Sequence, residues 1–214
     1  MNPNLPPHEL RLWIEARLDP LSEAETPPLQ SDYDLNPSLR PAGQAPLRPA
    51  AVLVPLIERP EGISVLLTRR AETLRQHTGQ IAFPGGRCDP GETPWQTALR
   101  EAQEEIGLDP ELVEPAGLLS PYETVTGYRV IPVVGFVRSD FNLTINEAEV
   151  AEAFEAPFGF LMDAANHQRQ FREPVGGGER RYFYAMPYED YFIWGATAGM
   201  LRGLYNRLYG EAVA

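Results

Sequence analysis

From Thr93 to Gly107 the chain is punctuated as a helix at both ends, and its last two turns carry more negative charge than a surface helix tolerates there. Thr93 is an N-cap candidate, Pro94 suits the first helical position, and Gln96 stands three residues after Thr93, as in a capping box. Gly107 is placed to end the helix. At about 100° per residue, Trp95, Ala98, Leu99, Ala102 and Ile106 form one apolar arc. Glu101, Glu104 and Glu105 fall on the adjacent arc, with Arg100 at its edge. Like charges at i,i+4, here Glu101 and Glu105, cost stability, and acids in the last turn oppose the helix dipole. A solvated acidic face is the bland reading of such a run. A hard divalent cation that prefers carboxylate oxygens, Mg²⁺ or Mn²⁺, reverses the balance and points to phosphate chemistry.

The whole chain bounds that reading. Its 214 residues suit one globular domain with room for an appended segment, and 43% hydrophobic residues supply a sizeable core. A net charge of −12 argues against nucleic acid as a partner, but not against a small phosphorylated substrate met by a local basic patch. All 18 basic side chains counted as Lys or Arg are arginines, so a basic phosphate contact must come from a bidentate guanidinium or from histidine. No apolar run approaches the roughly 20 residues of a membrane span, and the first residues do not read as a signal peptide. The single Cys88 excludes an internal disulfide, so a cytoplasmic location without membrane contact is expected.

Apolar spacing at Leu10, Trp13, Ile14 and Leu18 predicts a short amphipathic helix over residues 7–19. Residues 20–49 are proline-rich and read as a linker or extended arm without regular structure, making residues 1–49 a unit apart from a compact domain over residues 50–214. That domain is expected to hold strands at 50–57, 63–68, 117–126 and 128–137, a hairpin of 169–173 with 181–187, and a closing helix at 196–209. Mixed strands with these helices predict an α/β sandwich around a mixed sheet.

The loop and helix together match the Nudix box, Gly-x5-Glu-x7-Arg-Glu-U-x-Glu-Glu-x-Gly-U with U apolar, at Gly86, Glu92, Arg100, Glu101, Ala102, Glu104, Glu105, Ile106, Gly107 and Leu108. Every invariant position is met; small Ala102 at the first aliphatic slot is the soft departure. The chain therefore resembles a Nudix hydrolase, with a Nudix-type α/β/α sandwich implied. The resemblance implies that Glu101, Glu104 and Glu105 ligate Mg²⁺ or Mn²⁺, with Glu101 or Glu104 also able to act as base. It further implies that Arg100 orients Glu101, that Glu92 sits in the outer metal shell, and that the Gly85 or Gly86 carbonyl adds a ligand.

Upstream, Leu66-Leu67-Thr68-Arg69-Arg70-Ala71, then Arg75, then Gly79-Gln80-Ile81-Ala82-Phe83-Pro84-Gly85-Gly86 is similar to the signature of the coenzyme A pyrophosphatase branch. Trp194-Gly195-Ala196-Thr197-Ala198 also resembles that branch, whereas residues 1–49 receive no support from it. The implied reaction is cleavage of coenzyme A, or of an acyl-CoA, to 3′,5′-ADP and 4′-phosphopantetheine, with Arg70, Arg75 and Gln80 as substrate contacts. The alternatives are ADP-ribose, NADH or nucleoside triphosphates as substrates, and a non-catalytic regulatory module of the same fold. Cys88 reads as an incidental thiol, and His8, His77 and His167 are too scattered for zinc. Glu147, Glu149 and Glu152 read as a solvated helix start, although one of them could serve as an acid beyond the box. The helical stripe of Trp194, Ala198, Leu201, Tyr205 and Leu208 reads as core or as a dimer face, which leaves a homodimer open.

Overall fold

Two long strands, Arg48–Arg59 and Tyr128–Val137, run parallel along most of their length and are apolar on both faces, as strands covered by helices on both sides must be. The computed structural model describes residues 6–23, 30–43, 46–72, 79–174 and 176–210. In chain order its elements are α1 (Pro7–Glu15), β1 (Gln30–Ser31), β2 (Arg48–Arg59), β3 (Gly62–Arg70), β4 (Ile81–Ala82), β5 (Gly85–Arg87) and α2 (Pro94–Ile106). There follow β6 (Val113–Leu118), β7 (Tyr122–Glu123), β8 (Tyr128–Val137), β9 (Val150–Pro157), α3 (Phe158–Leu161), β10 (Gln168–Arg172), β11 (Arg181–Tyr188), β12 (Tyr191–Trp194) and α4 (Ala196–Tyr209).

Among the described residues the main sheet runs β1-β7-β8-β2-β3-β4, with β5 also on β2, β6 on β8 and β9 on β3. It is mixed: β2–β8 and β1–β7 are parallel and the other pairs antiparallel. Ala98, Ala102 and Ile106 of α2 bury against Ala51, Leu53, Ile57 and Val133 on one face. Leu10 and Ile14 of α1, with Leu201, Leu204 and Leu208 of α4, join Val54, Leu56, Val65 and Leu67 in a second cluster. This is the expected α/β/α sandwich. A separate antiparallel sheet, β10-β11-β12, stands beside α4. No helix of the described residues is long and apolar enough to cross a membrane.

Several local expectations change. The first helix ends at Glu15, and Asp19 instead makes a two-way backbone bridge with Leu118 (3.0 and 2.8 Å). Residues 20–49 do carry structure where they are described. β1 pairs with β7, and buried Asn36 exchanges hydrogen bonds with the Tyr182 backbone (2.8 and 2.7 Å). Prolines remove ladder donors, so side chains such as Asn36 and Asp32 tie this segment down in place of a continuous strand. The strand expected at 117–126 is split into β6 and β7 around Pro121, which has no N–H to give. Residues 150–157, composed largely of alanine and glutamate, form β9 and not a helix, because pairing with the whole length of β3 outweighs their helical propensity.

Ile14 is fully buried although it lies in the N-terminal segment. Ile14→Ala should therefore lower the unfolding free energy of the entire chain by roughly 2–5 kcal/mol, read as a shifted midpoint in urea without a separate early transition. A change confined to a few tenths would show that α1 is not part of the core.

Candidate active site

The carboxylate helix is built as its ends demand. The Thr93 hydroxyl accepts from the Gln96 N–H (3.3 Å) while the Gln96 side chain accepts from the Thr93 N–H (2.9 Å). Gly107 takes the left-handed conformation at φ +66° that stops the helix. α2 then lies on β2 and β5, which sets its acids beside the Gly85–Arg87 strand.

One guanidinium organises those acids. Arg100 grips Glu92 with Nε (2.8 Å) and Nη2 (3.0 Å), and gives Nη1 to Glu101 (2.9 Å) and Glu104 (3.2 Å). Nη2 also donates to the Arg87 carbonyl (3.1 Å). Glu92 further accepts from the Thr97 hydroxyl (2.8 Å) and the Asp89 N–H (3.0 Å). Arg100 foremost, then these two donors, hold its carboxyl down at about 2, so it is ionised at any working pH. Arg100 itself is pushed up by Glu92, so it never loses its charge.

The other acids are less comfortable. Burial pushes the Glu101 carboxyl up against the pull of Arg100. Glu105 is 4% exposed, and burial pushes it up to about 8 despite the Gly85 N–H at 3.3 Å and the charge of Arg70. Glu149 adds to the rise at both Glu101 and Glu105, so it lies within electrostatic reach of the cluster. β9 starts just after Glu149, where a solvated helix start was expected. Glu152 is occupied elsewhere, by Arg69 (2.9 Å) and the Tyr191 hydroxyl (2.5 Å).

The loop leaves little room at its two glycines, against backbone at Gly85 and against the Glu101 carboxylate at Gly86. A Cβ on Gly86 would lie 2.5 Å from the Glu101 carboxylate carbon, and one on Gly85 would lie 2.6 Å from the Val52 Cα. β5 pairs with β2 through alternate residues, from Leu53 N–H to Pro84 and from Cys88 N–H to Pro49. That alternation leaves the Gly85 carbonyl pointing away from the β2 ladder.

An array of carboxylates, from buried Glu105 to exposed Glu104, with a cradling carbonyl fits a hard divalent cation in kind. Among the described residues, no three acidic, histidine or cysteine side chains already converge to hold an ion. Arg100 is the counter-charge in this arrangement, and Glu104, whose side chain is 56% exposed, is the acid freest to turn.

A cavity of about 1100 Å³ opens beside this cluster. Its wall includes Gly85, Gly86, Arg70, Gln80 and Arg87, and continues past Tyr122 and α4 to β11 and β12. Arg70 ends β3, and its buried Nε has no hydrogen-bond partner among the described residues. Thr197 of the downstream motif donates to the Ile81 carbonyl (3.0 Å), fixing α4 against the strand that follows Gln80. Arg75 and His77 lie outside the described residues. Cys88 is half-buried and packs against the apolar cluster beneath α2.

A family profile described as NUDIX domain matches residues 47–174. The uncharacterized Nudix hydrolase NudL of Cronobacter sakazakii is 44% identical over 158 residues, spanning 73% of this chain and 81% of its own. The protein of the same name from Pectobacterium atrosepticum is 44% identical over 172 residues, 79% of this chain and 86% of its own. Among solved structures, RenU, a Nudix hydrolase from M. smegmatis, is 28% identical with a TM-score of 0.46, covering 54% of this chain and 73% of that one.

A carboxyl raised by folding holds its proton more tightly in the folded state, so stability is full below the unfolded value and falls as pH rises toward the folded one. For Glu105 that window runs from the ordinary glutamate value of 4.5 to about 8. With metal chelated, Glu105→Gln should raise the melting temperature at pH 8 and leave it nearly unchanged at pH 5. An equal or lower melting temperature at pH 8 would show that the buried charge carries no penalty.

Proposed function

The chain belongs to the Nudix hydrolase family, enzymes that hydrolyse pyrophosphates, and from that premise we propose that its substrate is coenzyme A, or an acyl-CoA, cleaved to 3′,5′-ADP and 4′-phosphopantetheine. The observation that carries the reading is one continuous cavity wall that joins the Gly85–Gly86 loop beside Glu101 and Glu105 to Arg70 and Gln80. These are residues of the upstream motif that resembles the coenzyme A branch.

A pyrophosphate brings crowded anionic oxygens to a site that is itself acidic, and only cations between the two make that contact favourable. When bound, Mg²⁺ or Mn²⁺ supplies that charge and acidifies the attacking water. Glu101, Glu104 and Glu105, with the Gly85 carbonyl, would hold it. Arg100 keeps Glu101 turned toward Gly86, and the ionised Glu92 keeps the Arg100 fork fixed against the loop. Glu149 joins Glu101 and Glu104 as a group able to take the water's proton. Arg70, with its unpaired Nε on the cavity wall, meets the phosphate oxygens as charge shifts to the leaving group in line.

With Mg²⁺ or Mn²⁺, a panel of coenzyme A, ADP-ribose, NADH and dNTPs resolved by mass spectrometry should yield 3′,5′-ADP from coenzyme A as the dominant product. Turnover of another member without 3′,5′-ADP would sink the assignment. Glu105→Gln, although more stable at pH 8, should lose orders of magnitude in kcat/KM. Because the ion must displace the Glu105 proton, metal affinity should climb from pH 6 toward about 8 and then level off, measured by calorimetry.

A further inference from the structure

Like charges placed directly opposite each other on paired strands cost stability, and the small sheet pays that cost at one position. Where β10 and β11 meet their connecting loop, Arg172 stands directly opposite Arg181. Register and strand alternation put both on the same face of the sheet as Phe183 and Trp194. All four line the cavity that reaches Gly85, Gly86 and Arg70.

The two guanidiniums are short of anions. A neighbour in the same hairpin, Arg180, has its own carboxylate in Glu173 at 3.0 Å. Arg172 has no ion pair among the described residues; it lies over the Trp194 ring, 4.2 Å from its centroid. Arg181 comes no nearer to a carboxylate than 3.9 Å, at Asp32. That carboxylate is already engaged, accepting from the Tyr122 hydroxyl (3.0 Å) and the Val125 N–H (2.9 Å). Phe183 and Trp194 meet edge to face, with centroids 5.2 Å apart, and form an aromatic floor beside the pair. Paired guanidiniums suit a dianionic phosphate monoester, which each can grip through two parallel N–H donors. An adjacent aromatic floor suits the nucleobase of the same ligand.

We propose that Arg172 and Arg181 form a second phosphate subsite, distinct from the pyrophosphate-cleaving carboxylates, which takes a phosphate monoester on the ribose of the substrate. The proposal rests on the coenzyme A reading, in which that group is the 3′-phosphate. It turns the strand-pair repulsion into selectivity. A substrate with the extra phosphate relieves the repulsion, and one without it leaves Arg172 without a carboxylate and Arg181 with only the distant one of Asp32.

Calorimetry with 3′,5′-ADP and 5′-AMP tests the subsite directly, on the wild type, Arg181→Gln and the Arg172→Gln/Arg181→Gln double variant. The wild type should bind 3′,5′-ADP roughly tenfold to a hundredfold more tightly than 5′-AMP. The single variant should lose part of that preference and the double variant nearly all of it. In kinetics, the kcat/KM ratio of coenzyme A to 3′-dephospho-coenzyme A should fall by the same factor, mainly through KM. Equal affinities in the wild type, or a preference that survives both substitutions, would overturn the subsite. A wild type that turns over neither coenzyme, while the nucleotide preference and its loss hold, would overturn the coenzyme A reading and leave the subsite standing.

Discussion

The site depends on the fork between Arg100 and Glu92. Arg100 makes four side-chain hydrogen bonds to acids, but they are not equal. The contact to exposed Glu104 is an ordinary i,i+4 surface pair, worth a few tenths of a kcal/mol by itself. The grip on Glu92 uses two parallel charge-assisted bonds, about twice as strong each as neutral ones, and Glu92 is held in turn by Thr97 and the Asp89 backbone. That closed circuit spans the loop and the first turns of α2. Nη1 is thereby presented to Glu101 and Glu104 as a fixed positive charge, which lets an acidic helix end persist.

Fixing Arg100 does not neutralise the deeper acids, and the fold leaves that tension in place. Glu105 could be relieved by a basic neighbour at hydrogen-bond distance, yet among the described residues it receives only the Gly85 N–H and the field of Arg70. A Cβ at Gly86 would fall on the Glu101 carboxylate, so any side chain there would displace that acid. A purely structural helix would fill this space or neutralise it. Local rules broken without local compensation mark places where a ligand completes the structure.

The sequence spoke most clearly where interactions are local. The capping box, the Gly107 stop and the α2 apolar arc all lie within one turn of the residues that cause them, and each is found as expected. β9 was hidden because its alanines and glutamates favour a helix, and only contact with β3 decides otherwise. Without β9, Glu149 had no visible reason to come within electrostatic reach of Glu105, since the chain returns past α2 only once the sheet has formed. The segment before β2 posed the same difficulty. Gln30, Asp32 and Asn36 look like residues of a solvated linker until β7, Tyr122 and Tyr182 arrive as partners. Arg172 and Arg181 lie in the hairpin that the sequence predicts, but that they stand opposite each other follows only from its register.

How an acidic protein accommodates a polyanion follows from where its acids are used. Away from the cavity, most arginines are paired, among them Arg11 with Glu15 and Glu114, Arg59 with Glu155, Arg69 with Glu152, Arg138 with Asp140 and Arg207 with Asp19. Along the cavity wall, Arg48, Arg70, Arg87, Arg172 and Arg202 have no ion pair among the described residues, and the buried Nε of Arg70 and of Arg202 lacks a hydrogen-bond partner. The acids on that wall, Asp32 and Asp34, are committed mainly to backbone and tyrosine donors, with Asp32 also 3.9 Å from Arg181. The net charge of −12 is thus a sum over the chain that says little about the cavity. What a phosphorylated ligand meets is the local remainder, arginines left over after the acids have been spent elsewhere, and that remainder is positive.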